Sequence, residues 1–379
     1  MLDRMPALHH RLRPANWLYW AVVLGTFGLG YAAYVVRRPF FSPDSRYYLA
    51  MAYLFGGEDP ESARDLTAEF AAHYGVPVPP ADELFGWGLV QPRVILPLLA
   101  APLVRAFGPF GLAATTLILT VILVIALAVI LLRRFGPGPA LTVMVILNTS
   151  HFLMIFHGGM LTESLSALWT VGTLASAWWW LRDGRWWQLA LVSVTVIGAA
   201  FTRQATFIVA GAFVMAWLLG LIIRRTGQWM WPALVASVTA IACQLLQSAV
   251  FPSFSQLDQF LAKTGTDSLG AALLETPRVA ATILSRDAAT FLREDVALLV
   301  LIVLSVAGML YFWRRTEAHL LFGAILGVAL YNVTNGTPTQ FRYAVPGLVF
   351  FALCAALLVR RATSSSRVTG KVTSERSAE

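Results

Sequence analysis

The sequence predicts an all-α polytopic membrane protein: about ten transmembrane helices, with further helices lying on the outer membrane face. Three observations predict the helical membrane architecture. Hydrophobic residues fill 58% of the 379 positions and charged residues only 13%, against roughly 25% charged in a soluble domain. Apolar runs of about 20 residues, the length that crosses a hydrocarbon core, recur along the chain. Arginine pairs recur at every second connection between those runs, the pattern of the positive-inside rule.

In order, the runs lie at 17–36, 110–132, 138–157, 163–181, 187–202, 205–223, 230–251, 296–313, 319–335 and 345–359. The first has no small-residue cleavage site after it and reads as a retained anchor. Arg133-Arg134, Arg182 with Arg185, Arg224-Arg225, Arg314-Arg315 and Arg360-Arg361 fall on one side, which the rule makes cytoplasmic. Both termini are then cytoplasmic, and the plasma membrane is the expected location. The inner segments carry 16 Lys and Arg against 5 acids, the outer segments 12 against 15. The formal charge of +8 is therefore a mark of topology, and no nucleic-acid partner is expected. Cys243 and Cys354 lie inside apolar runs and read as small buried hydrophobes.

The inner connections are too short to fold. Two outer connections, 37–109 and 252–295, are long, and long loops are usually functional. In the first, Asp59-Pro60-Glu61 reads as an N-cap followed by proline at the first helical position. Leu66, Phe70 and Tyr74 give that helix one apolar face, and Gly75 with Pro77 ends it. Thr276-Pro277 reads as a second start. Such helices lie flat on the membrane. Val94 to Phe107 is apolar but too short to span, and a full span there would invert every later arginine pair. It is assigned as re-entrant or interfacial. The domain reading is a transmembrane domain over 1–361 and a Ser/Thr-rich, disordered cytoplasmic tail over 362–379.

A small polar set remains on the outer face: Asp44, Arg46 and Tyr47 after the first span, Glu163 before the fourth, Arg203 and Gln204 between the fifth and sixth, and Gln340, Arg342 and Tyr343 before the last. Ionisable groups at membrane depth are costly and mark functional sites. Each also has a plain structural reading. Asp44 suits an N-cap, Glu163 a helix dipole, Arg342 a snorkelling position, and Arg203 a structural partner for Glu163. Glycine-rich phosphate loops, zinc signatures and nucleophile elbows are missing from the sequence. His151 and His157 have no partner at ligand spacing. Acids and arginines at a lipid edge suit group transfer from a phosphate-linked, amphipathic donor. A carboxylate removes the acceptor proton, and arginines stabilise the departing phosphate.

These residues carry a family resemblance. Pro43-Asp44-Ser45-Arg46-Tyr47 is similar to the first-loop Pro-Asp-Glu and Arg-Tyr pattern of the GT-C superfamily of membrane glycosyltransferases, in particular the protein O-mannosyltransferases and the lipid A aminoarabinose transferases. Surface helices over 60–74, a proline-containing apolar segment over 92–108 ending in Phe107-Gly108, Glu163 in the second outer-acid position, and Arg342-Tyr343-Ala344-Val345-Pro346 follow in the family's order.

The resemblance implies a polyprenyl-phosphate-linked sugar as donor and membrane lipid as surroundings, and it leaves the acceptor open. Asp44 and Glu163 become the expected catalytic acids, with Asp44 the base. Arg342, Arg46 and Arg203 become donor-phosphate contacts, and Tyr47, Gln204, Gln340 and Tyr343 line the substrate. The second acid of the family's first-loop pair is Ser45 here. A divalent cation therefore lacks the paired acids it would use, and no cofactor or metal is assigned. Two rival classes stay open: a transporter or lipid flippase, for which Gln244 and Gln247 in one span speak, and a non-catalytic scaffold of the same fold.

Overall fold

The computed structural model describes residues 16–251, 255–335 and 340–376. The N-terminal segment expected on the inner side and the end of the expected tail lie outside these residues. All regular elements among them are helical. They are α1 (Asn16–Arg37), α2 (Ser45–Phe55), α3 (Pro60–Ala72), α4 (Ala81–Gly86), α5 (Ile95–Phe107), α6 (Phe110–Phe135), α7 (Pro137–Thr149), α8 (His151–Gly158) and α9 (Glu163–Asp183). Then follow α10 (Trp186–Ala200), α11 (Thr206–Arg224), α12 (Met230–Val250), α13 (Gln256–Thr264), α14 (Leu269–Glu294), α15 (Val296–Tyr311), α16 (Thr316–Asn335), a 3-10 turn (Val345–Gly347) and α17 (Leu348–Arg376).

Six helices, α1, α6, α11, α12, α16 and α17, are long and apolar enough to cross a membrane, and the bent pair α7 and α8 makes a seventh. The chain is a multi-pass membrane protein. The other apolar runs fold as α9, which buries Ser164, Ser166, Thr170, Thr173 and Ser176, and as the shorter α10 and α15. The 138–157 run is not one straight span: it bends by 73° between α7 and α8. Polar caps build the bend. Ser150 leaves helical geometry at ψ 122° and accepts from the Leu153 amide. Asp295 Oδ2 accepts from the Ser150 hydroxyl at 2.7 Å and the Phe152 amide at 2.8 Å, and its Oδ1 accepts from the Leu298 amide at 2.9 Å. One buried carboxylate thus serves the free amides of both α8 and α15.

Two cores result. The larger joins α1, α6 to α12 and α15 to α17. Its closest approach is α11 on α16, where a Cβ on Gly323 would stand 2.1 Å from the Gly211 carbonyl oxygen and one on Gly327 2.7 Å from the Ile208 Cα. Small residues four apart let helix backbones meet in this way. The smaller core is a helical cap. It packs Tyr48, Leu49 and Ala52 of α2 against α3, α4, α5 and the start of α6. Asp59 caps α3 through the Glu61 and Ser62 amides, and α5, 13 residues long with Pro102 inside it, is too short to cross a bilayer.

One sequence expectation is corrected. The helix expected to start near Thr276 starts at Leu269, because Ser268 accepts from the Ala271 amide and nucleates it there. Pro277 lies inside α14. Leu273, Leu274, Leu284 and Leu292 of α14 stay exposed, the outward apolar side of an interfacial helix. Past residue 362, where the sequence reading expects a disordered tail, α17 runs on to Arg376. It has no proline to stop it, and the Thr363 and Ser364 hydroxyls donate back to the Val359 and Arg360 carbonyls.

Candidate functional site

Four charged residues from four separate connections meet at the seam between the two cores. Glu163 opens α9 and is fully buried. Its Oε1 accepts from Arg203 Nη1 at 2.7 Å and from Arg342 Nε. Arg342 Nη2 lies 2.6 Å from Asp44 Oδ2, an ion pair whose angle falls outside hydrogen-bond geometry. The order is Asp44, Arg342, Glu163, Arg203, alternating in sign. Together they form one neutral chain running from the half-exposed Asp44 inward to Arg203, which is 1% exposed. Pairing is the condition on which charges are tolerated at such depth.

Local structure explains each placement. Asp44 precedes α2 in αR geometry and caps nothing with its side chain, so its carboxylate is left for Arg342. Ser45, where the family resemblance expects a second acid, is buried and accepts from the Ser42 amide at 3.0 Å. Arg203 sits in the five-residue turn between α10 and α11. That turn is held by Gln247, whose amide donates to the Ala200 carbonyl at 3.0 Å, and by Trp169, whose Nε1 donates to the Thr202 hydroxyl at 3.0 Å. Gln247 therefore ties α12 to the end of α10. Arg342 follows two non-glycine residues in left-handed backbone, Gln340 at φ 53° and Phe341 at φ 74°. Each such residue costs roughly 1–2 kcal/mol, so the surrounding contacts must hold the turn. Phe341 packs edge-on against Phe351, and the Gln340 amide donates to Asp287 Oδ1 at 3.1 Å.

Aromatic faces close the inner end. The Arg203 guanidinium lies 5.1 Å from the Tyr343 ring centre and 5.9 Å from that of Tyr331, within cation–π range. The two rings are 4.5 Å apart. Gln204 joins a second layer that the sequence reading missed. Arg93, 5% exposed, donates from Nε to Gln204 Oε1 at 3.1 Å and from Nη1 to the Tyr48 hydroxyl at 3.0 Å. Gln204 Nε2 donates to the Leu89 carbonyl at 3.3 Å. A lone arginine between the apolar stretches Leu89-Val90 and Val94-Ile95 is the signal that marks it.

Three of the expected residues lie outside the cluster. Arg46 donates to the Pro77 carbonyl and to the Tyr47 hydroxyl, because α2 directs it along the first loop. The Gln340 side chain is exposed, and only its backbone is used. Tyr47 lies tilted against Trp87, ring centres 4.5 Å apart, and lines an open cleft of about 500 Å³ with Asp82, Glu83 and Trp87. Among the described residues, no three His, Cys, Asp or Glu side chains gather as a metal site would require.

The cluster keeps unused hydrogen-bonding capacity. Glu163 Oε2, Arg203 Nε and the Thr162 hydroxyl are buried without a hydrogen-bond partner, as is Arg342 Nη2 outside its ion pair with Asp44. Buried groups of this kind are rare and call for an explanation. Two guanidiniums share one carboxylate, and each keeps one nitrogen free of hydrogen bonds, a donor type that also binds anions such as phosphate. No protein-family model, no curated protein and no solved structure matches this chain.

Proposed function

We propose that the chain is a GT-C-type membrane glycosyltransferase, transferring a sugar from a polyprenyl-phosphate donor to a hydroxyl-bearing acceptor at the outer membrane face. The observation that carries this reading is the convergence of Asp44, Arg342, Glu163 and Arg203 at one seam, with the buried Arg203 Nε left without a hydrogen-bond partner. Ten crossings, with α9, α10 and α15 counted among them, and two cytoplasmic termini complete the topology in the plasma membrane.

In the mechanism, the donor phosphate takes hydrogen bonds from Arg342 and Arg203. Engaging Arg342 loosens its pairing with Asp44 and frees that carboxylate. The acceptor oxygen then bonds to the anomeric carbon as the bond from that carbon to the phosphate oxygen breaks. Asp44 takes the acceptor proton as general base, and the electron pair leaves with the polyprenyl phosphate, whose charge the arginines stabilise. Glu163 keeps both guanidiniums aimed. Arg93 supports the seam from behind, and the cleft beside Tyr47 admits the acceptor.

The test is transfer of label from a polyprenyl-phosphate sugar by the protein in nanodiscs, together with retention of polyprenyl phosphate seen by native mass spectrometry. Asp44→Asn is expected to bind the lipid phosphate and lose transfer by about 100-fold or more. Arg342→Ala is expected to lose both. Full activity in both variants would refute the assignment.

A further inference from the structure

α14 carries one polar side chain on its buried side, and that side chain reaches the loop before the last span. Asp287 is 7% exposed, beside Ile283 and Phe291 on the face that α14 turns to the protein. Its Oδ1 accepts from the Gln340 amide at 3.1 Å. Gln340 and Phe341 are two of the three non-glycine residues with positive φ among the described residues, and they are adjacent. The next residue is Arg342, which bridges Asp44 and Glu163.

We propose that Asp287 is a positioning residue: by holding the left-handed Gln340–Phe341 turn, it aims the Arg342 guanidinium at Glu163 and Asp44. The argument is geometric. A left-handed conformation at two side-chain-bearing residues relaxes unless neighbours over-determine it. Phe341 is anchored by its ring on Phe351, whereas the Gln340 side chain is exposed and fixes nothing. At Gln340 the carboxylate of Asp287 supplies that constraint. Relaxation at 340 swings the chain immediately before Arg342, and a displacement of about 1 Å at a catalytic group costs up to about 100-fold in rate. The second long outer connection thereby acquires a role at the site without contributing a group to it.

The proposal rests on the proposed function for its kinetic arm but not for its structural one. Hydrogen–deuterium exchange over residues 340–347 is measured on the full chain in nanodiscs. Asp287→Ala is expected to raise exchange there, and Asp287→Asn, whose amide oxygen still accepts, to stay near the parent protein. Unchanged exchange in Asp287→Ala overturns the proposal whatever the protein catalyses.

In the transfer assay, Asp287→Ala is expected to lower kcat about 10- to 100-fold, with a smaller rise in KM for the lipid-linked sugar. Asp287→Asn restores it. Gln340→Gly, which adopts positive φ freely, keeps activity, while Gln340→Val loses it as Asp287→Ala does. Gln340→Val at parental activity also overturns the proposal. If the parent protein neither transfers sugar nor retains polyprenyl phosphate, the proposed function fails, and the exchange measurement still decides the role of Asp287.

Discussion

Arg342 and Glu163 meet at a carboxylate oxygen that a second guanidinium also uses. Arg342 Nε and Arg203 Nη1 both donate to Glu163 Oε1, while Oε2 has no hydrogen-bond partner. Glu163 is fully buried, and Arg203 nearly so. Removing the carboxylate therefore leaves a buried guanidinium without its counter-charge, which costs about 3–5 kcal/mol. Glu163→Gln is expected to lower the unfolding temperature of the purified protein clearly, and Glu163→Ala by at least as much. If Glu163→Gln melts like the parent, the chain of alternating charge is not a stabilising element.

Arg93 offers a contrast, because its partners are neutral. Its guanidinium spans Gln204 Oε1 and the Tyr48 hydroxyl with two separate nitrogens. A lysine ammonium is compact and does not reproduce that fork. Arg93→Lys is expected to leave one of those groups unsatisfied at a cost of about 1–3 kcal/mol, seen as a lower unfolding temperature. Through Gln204 it also loosens the turn that carries Arg203, so weaker retention of polyprenyl phosphate is expected in the same variant. Parental values in both measurements would remove Arg93 from the site.

Much of this arrangement is legible in the residue order. Asp44, Glu163, Arg203 and Arg342 each flank an apolar run, and the arginine pairs assign all four to one face. In a compact bundle, charges at the same ends of neighbouring helices have few partners except one another. Sidedness does not report direction, however. Arg46 lies two residues from Asp44 and points along the first loop instead, and the backbone turn at Gln340 leaves its side chain in solvent. Arg93 shows in the sequence only as a lone arginine between apolar stretches; its neighbours Gln91 and Pro92 read as loop, and tertiary packing is what buries it. The bend at Ser150 has a visible signal, three polar residues in Asn148-Thr149-Ser150, but the carboxylate that stabilises it comes from Asp295, far away in the chain. The early start of α14 turns on Ser268, a capping residue whose signal in the sequence is weaker than that of Pro277.

The cap formed by α2 to α5 has a pH-sensitive element of its own. The Asp59 carboxyl is held below its ordinary value of 3.8, chiefly by the Ser62 hydroxyl and then by the Ser62 amide. A lowered folded value means that the cap's contribution is complete above 3.8 and fades as pH falls through the folded value. Protection of the α3 amides against exchange is expected to drop over that acid range. The asparagine introduced by Asp59→Asn caps without titrating, so protection in that variant is expected to stay flat. A parallel decline in both proteins would place the acid sensitivity elsewhere.

The contact of α11 with α16 decides whether the ends of those helices can present Arg203 and Tyr331 together. A methyl group on Gly323 would meet the Gly211 carbonyl oxygen at 2.1 Å and the Gly211 carbonyl carbon at 2.6 Å. The obstacle is backbone, so no side-chain rotation relieves it and the two helices must separate. Gly323→Ala is therefore expected to destabilise the protein by about 1–3 kcal/mol, despite the better helix propensity of alanine. Gly25 in α1 is the control, because a Cβ there meets nothing within 4 Å. Gly25→Ala is expected to be neutral or slightly stabilising. Thermal unfolding of both variants in the same detergent separates packing from propensity. Equal behaviour would show that α11 and α16 tolerate a wider spacing than their backbones adopt, and the cation–π contact of Arg203 with Tyr331 should then survive the substitution.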